Sequence, residues 1–108
     1  MKVRPTVKNV NREAITQGSG NVFSDLGFSP AEARNLRMRS QMMTALRKFI
    51  VNEQLTQAEA AARLKVAQPR ISDLMRGKIS RFSLDALVIM LSDVGLEVNM
   101  QIKRRRVA

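Results

Sequence analysis

Apolar residues recur along this chain at two different periods, and the change of period divides it. From Ser29 onward the period is helical. Met42, Met43, Leu46, Phe49 and Ile50 form one core-facing stripe, with Arg37, Gln41, Thr44 and Lys48 on the other side. Ser29-Pro-Ala-Glu32 starts this helix with a serine cap, a proline at the first helical position and a glutamate that closes a capping box. Its N-terminal half, Ala31 to Met38, has little to bury, so it either extends past the bundle or meets another chain. A second, short helix opens on a Thr56–Glu59 capping box and turns Ala58, Ala61 and Leu64 inward. A third carries Ile71, Leu74 and Met75 on one side. A fourth begins at Ser83-Leu-Asp-Ala, runs to about Val94 and is stopped by Gly95; Leu84, Leu87, Val88 and Leu91 are expected to close the core. Then the period drops to two. Leu96, Val98, Met100 and Ile102 alternate with Glu97, Asn99, Gln101 and Lys103, as in a half-buried strand.

The stretch from Thr56 to Lys78 organises the rest, because two short helices joined by a tight turn make a helix-turn-helix. Alanines let the pair cross closely, and Gly77 ends the second helix in the left-handed conformation. The face opposite Ile71 and Leu74 shows Pro69, Ser72, Asp73 and Arg76, with Gln68 at the tip and Arg70 on the flank. A helix that reads base edges in the major groove needs such a face: glutamine can pair bidentately with adenine and arginine with guanine. Gln57, at a helix N-terminus, and Lys78 are placed for phosphate. Asp73 is the odd member, since a carboxylate near phosphates repels. It either accepts from cytosine or, as we favour, orients Arg70 or Arg76.

Outside that motif the sequence says less. Residues 1–20 show no sustained period and read as a flexible arm ending in Gly18-Ser-Gly20. Val22-Phe-Ser-Asp-Leu-Gly-Phe28 is apolar, too short to be a helix alone, and spends two of the chain's four phenylalanines. It either folds back over the core or is an anchor that docks on a partner protein. The strand from Leu96 has no pairing partner in the chain, so antiparallel pairing with a second copy across a two-fold axis is the economical answer, which assigns Leu96, Val98, Met100 and Ile102 to dimerisation. Lys103-Arg-Arg-Arg106 either touches phosphates or is a solvated tail.

Charge then selects the partner. Nineteen Lys and Arg against nine Asp and Glu give a net charge of +10 over 108 residues, which points to a polyanion; the motif favours double-stranded DNA over an acidic membrane surface. With no cysteine and no histidine there is no disulfide framework, no thiolate or imidazole metal site and no histidine base. The acids are scattered, so no enzyme and no cofactor is expected. The near absence of stacking aromatics argues against an RNA-binding protein. The N-terminus lacks an apolar h-region, and the run Leu87 to Leu91 is too short to span a bilayer, so a cytoplasmic, nucleoid-associated protein is expected.

Asn21-Val-Phe-Ser-Asp-Leu-Gly-Phe28, Gln57-Ala-Glu, Gln68-Pro-Arg-Ile-Ser-Asp-Leu, Arg76-Gly-Lys and Phe82-Ser-Leu-Asp together resemble the XRE-type, λ repressor-like helix-turn-helix proteins. More narrowly they look like the HigA-type antitoxin branch, over about Asn21 to Met100. Two positions depart from what the resemblance to helix-turn-helix proteins implies: Lys65 stands at a turn position where glycine is preferred, so that a positive φ there costs about 1 kcal/mol, and Ala67 stands where a Ser or Thr cap is usual. The resemblance implies an all-α, λ repressor-like bundle of four to five helices with a C-terminal β-strand paired across a dimer. It divides the chain into the arm (1–20), the helix-turn-helix domain with its N-terminal extension (21–95), and the dimerisation strand with a basic tail (96–108). By the same resemblance the protein represses its own toxin-antitoxin operon and neutralises a RelE/HigB-like mRNA-cleaving toxin, held by Val22, Phe23, Leu26 and Phe28. The alternative is a phage-type repressor without a toxin partner, in which case the Phe23–Phe28 segment is core.

Overall fold

A computed structural model describes residues 23 and 25–104. The arm over 1–20, Val22, and Arg105 and Arg106 of the tail lie outside the described residues. Four α-helices and one 3-10 turn are formed among the described residues: α1 (Pro30–Asn52), α2 (Gln57–Leu64), α3 (Gln68–Met75), the turn Ile79–Arg81, and α4 (Leu84–Asp93).

Each boundary has a local chemical cause. Ser29 Oγ accepts from the Glu32 amide at 3.2 Å while Glu32 Oε1 accepts from the Ser29 amide at 3.0 Å, so α1 starts on the expected capping box. The backbone amide of Ser29, then its hydroxyl, hold the Glu32 carboxyl below its ordinary pKa. The same box opens α2, with Thr56 Oγ1 accepting from Glu59 at 3.1 Å and Glu59 Oε1 from Thr56 at 2.8 Å. At the end of α2, Lys65 takes the left-handed conformation with φ 59°, and the Val66 amide donates back to the Ala61 carbonyl at 3.0 Å. Ala67 supplies no side-chain cap to α3. The Ser83 hydroxyl caps α4 by accepting from Ala86 at 3.2 Å.

The core gathers Met43, Leu46 and Ile50 from α1, Ala60, Ala61 and Leu64 from α2, Ile71 and Leu74 from α3, Phe82, and Leu87, Met90 and Leu91 from α4. Two expectations are corrected. Ala58 is exposed and Ala60 is fully buried, because α2 turns its second and third alanines against α3. In α4, Met90 fills the place expected of Val88, which faces out. Neither period nor composition separates two small or two large apolar neighbours on one helix; the direction of approach of the packing helix does. The N-terminal half of α1 is engaged, since Ala33 is buried and Arg39 reaches across to the Ile79–Arg81 turn.

After α4 the chain leaves through Gly95, whose φ of 80° allows the Leu96 amide to close on the Leu91 carbonyl at 2.9 Å. Among the described residues no strand follows. The alternation of the sequence is present, and Leu96, Val98, Met100 and Ile102 are all exposed, but a strand is defined by its ladder, and nothing among the described residues pairs with it. No helix among the described residues is long and apolar enough to cross a membrane.

Candidate nucleic-acid interface

A shallow cleft of about 610 Å³ opens between the start of α2 and the outer face of α3, lined by Gln57, Gln68, Pro69, Ser72, Asp73, Arg76 and Arg81. Six of these seven are residues that the sequence marks for base or phosphate contact. They converge because Thr56 fixes the first turn of α2, and because Ile71 and Leu74, both fully buried, fix the rotation of α3. Burying those two positions turns Gln68, Pro69, Ser72 and Arg76 outward.

The far end of α3 is clamped by α1. Arg47 Nη1 lies 3.5 Å from the Leu74 carbonyl, and Nη2 donates to Thr44 Oγ1 at 3.3 Å. A cation there complements the unpaired carbonyls of a helix C-terminus. Burial lowers the Arg47 pKa, yet arginine starts so high that the group stays charged. Gly77 answers to the same clamp: at φ 73° it lets the Lys78 amide return to the Asp73 carbonyl at 3.0 Å, and a Cβ there would stand 3.0 Å from Arg47 Nη1. The backbone is what requires glycine here, since the Arg47 guanidinium is the mobile end of a long side chain and can give way.

The charged residues of the face are arranged differently from the sequence reading. Asp73 sits with its side chain only 11% exposed. Arg81 Nη1 donates to its Oδ2 at 3.2 Å, and Arg76 Nη2 stands 3.7 Å from Oδ1. The carboxylate therefore lies against two arginines, Arg81 the nearer; of the two named from the sequence, Arg76 stands beside it and Arg70 does not. Arg70 turns away from the cleft: its guanidinium lies 4.2 Å over the Phe82 ring and donates to the Arg81 carbonyl. Lys78, half-buried on the loop after α3, does not line the cleft. The Ile79–Arg81 turn is also held from α1, where Arg39 Nη1 donates to the Ile79 and Phe82 carbonyls at 3.2 and 3.3 Å and Nε donates to Asn35 at 2.8 Å.

Residues 22–103 match the family described as Helix-turn-helix domain. A solved chain described, provisionally, as an XRE family transcriptional regulator superposes with a TM-score of 0.66; it is 31% identical, and the match covers 71% of this chain and 90% of that one. The chain belongs to the XRE-type helix-turn-helix family. No curated protein matches it. In a helix-turn-helix the second helix of the pair is the one that enters the major groove, which is α3 here, and the cleft is the space between that helix and the start of its supporting helix.

Arg39, Arg47 and Arg81 were not legible as parts of this site, since the contacts that tie them to it are carbonyls and a carboxylate 8 to 43 residues away, beside the local bonds of Arg39 to Asn35 and Arg47 to Thr44. One signal existed for Arg81: a carboxylate on an otherwise cationic face demands a cation to hold it.

At the other end of the described chain, the rings of Phe23 and Phe28 meet edge to face, 6.3 Å between centroids. Phe28 also borders a shallow hollow with Ala31, Leu36 and Arg39, while Leu26 is 69% exposed.

Proposed function

We propose that the protein is a homodimeric, sequence-specific antitoxin that represses its own toxin-antitoxin operon and neutralises a RelE/HigB-like mRNA-cleaving toxin. The broader part of this reading, a DNA-binding transcription regulator of the XRE type, follows from the family. What carries the DNA reading is the convergence of Gln57, Gln68, Pro69, Ser72 and Arg76 on one open cleft of a chain with net charge +10. Gln68, Ser72 and Arg76 face base edges, and Gln57 takes a phosphate at the start of α2. The dimer reading is supported by the exposed apolar alternation from Leu96 to Ile102, a segment with which the same segment of a second copy can form an antiparallel ladder. The toxin reading is supported by Leu26 and by Phe28, 42% exposed beside Phe23: an apolar side chain left in water at that level is worth about 1.5–3 kcal/mol to any partner that covers it.

The bound sequence can be found by selection from random duplexes. Replacing Gln68 or Arg76 by Ala is then expected to weaken binding to that sequence by about 1–3 kcal/mol and to random DNA very little; equal losses on both would confine these side chains to phosphate. For the toxin, the protein encoded by the neighbouring reading frame is co-expressed with the Phe23→Ser, Leu26→Ser double variant. Capture is expected to be lost with thermal stability and DNA binding kept. A variant that melts several degrees lower and still captures that protein would make the segment core and return the chain to a phage-type repressor.

A further inference from the structure

We propose that Arg81 is a phosphate-binding residue of the DNA interface and that Asp73 is the residue that positions it, reading no base itself. The inference rests on the DNA-binding reading of the cleft and adds a contact outside the two helices of the motif.

Four observations carry it. Arg81 lines the cleft alongside Gln57, Gln68, Ser72 and Arg76, although it belongs to the turn beyond α3. Its side chain is 57% exposed while the carboxylate that holds it is 11% exposed. The cation is therefore presented to solvent, and the anion lies behind it. The backbone around it is pinned from two sides: Arg70 donates to the Arg81 carbonyl, and Arg39 donates to the carbonyls of Ile79 and Phe82. Finally, Asp73 contributes one negative charge between two guanidinium groups, Arg81 and Arg76.

The electrostatics follow from that geometry. An unpaired carboxylate on a DNA-facing surface would repel the backbone and lose its hydration on docking. Set between two guanidinium groups, it leaves one net positive charge, and its hydrogen bond at 3.2 Å fixes the direction of Arg81, whereas Arg76 stands off at 3.7 Å. A guanidinium with one N–H on Asp73 keeps its other donors for a phosphate oxygen, and holding it in place beforehand reduces the side-chain entropy lost on binding. In the proposed interface base edges are met from the outer face of α3, from Gln68 down to Arg76 at its C-cap. Arg81 stands past the C-terminal end of α3, on the flank, where the sugar-phosphate backbone runs beside the groove.

The test uses the full chain and random-sequence duplex DNA, because phosphate contacts need no cognate site. Affinity is measured across a series of salt concentrations, and melting is recorded for each variant. Wild type is expected to show a steep linear fall of log affinity with log salt, and Arg81→Ala to lower that slope by about one. Arg81→Lys restores the slope, which a loss of folding would not allow. Asp73→Asn weakens binding in the Arg81 background and adds nothing to Arg81→Ala, since it acts through Arg81. A wild-type protein with no salt-dependent duplex binding would overturn the DNA reading of the cleft itself. If wild type binds but Arg81→Ala keeps the full slope, or Asp73→Asn and Arg81→Ala weaken binding additively, this inference alone fails.

Discussion

Helix α3 and the segment after Gly95 are built from similar material and meet opposite fates. Both are short, and both carry apolar residues at a regular period. In α3 the apolar positions Ile71 and Leu74 are fully buried in the core that α3 shares with α1 and α2, while in the C-terminal segment Met100 is 81% and Ile102 86% exposed. The difference is where the complementary surface lies. The helix finds its groove inside the same chain, so its period dictates both conformation and placement. The alternating segment has the period of a strand but no surface to be placed on among the described residues, and without a ladder partner it forms no strand there.

The comparison breaks most visibly in the core. Leu74→Ala removes a fully buried side chain from the middle of the inter-helix packing and is expected to cost about 2–5 kcal/mol, measured by denaturant or thermal unfolding. A loss below about 1 kcal/mol would mean that α3 docks far more loosely than its burial implies.

The counterpart experiment is a double change at the exposed end, Met100→Ser with Ile102→Ser. Because neither side chain is covered within the chain, the fold of 30–93 is expected to be unaffected. For the proposed dimer, the dissociation constant, followed by sedimentation at falling concentration, is expected to rise about a hundredfold or more, about 3 kcal/mol. A variant that remains dimeric would move the interface onto the helices, where Val88 and Ile89 on α4 also face outward.

The same contrast explains what was legible in the sequence. Helix starts were readable because each is a local device: Ser29, Thr56 and Ser83 accept from the amide three residues on. The cleft was readable because fixing Ile71 and Leu74 inward fixes Gln68, Ser72 and Arg76 outward. Ala58 against Ala60, and Val88 against Met90, were not, because the angle at which a neighbouring helix arrives decides between them. Nor were the arginine contacts, in which long side chains choose among distant carbonyls. Phe82 is the extreme case: fully buried under the Arg70 guanidinium, it lies in a loop, outside any period that would have marked it as core.

The smallest effect concerns the turn on which the buried half depends. Lys65 holds φ 59° at the end of α2, a conformation that costs a residue with a Cβ about 1 kcal/mol or somewhat more. Against that stands an ion pair to Asp93 at 3.8 Å, with the lysine side chain 75% exposed, worth at most a few tenths of a kcal/mol at such exposure. The two terms separate by comparing variants. Lys65→Ala deletes the ion pair and keeps the strain, so it is expected to be nearly neutral or slightly destabilising. Lys65→Gly deletes both, and relative to Lys65→Ala it is expected to gain about 0.5–1 kcal/mol, the relief of strain less the extra freedom that glycine restores to the unfolded chain. In a domain this small that is a rise of several degrees in melting temperature. If Lys65→Gly melts no higher than Lys65→Ala, the α2–α3 turn holds its left-handed residue without strain, and the packing of Leu64 and Ile71 on either side of it is what sets the angle between the two helices.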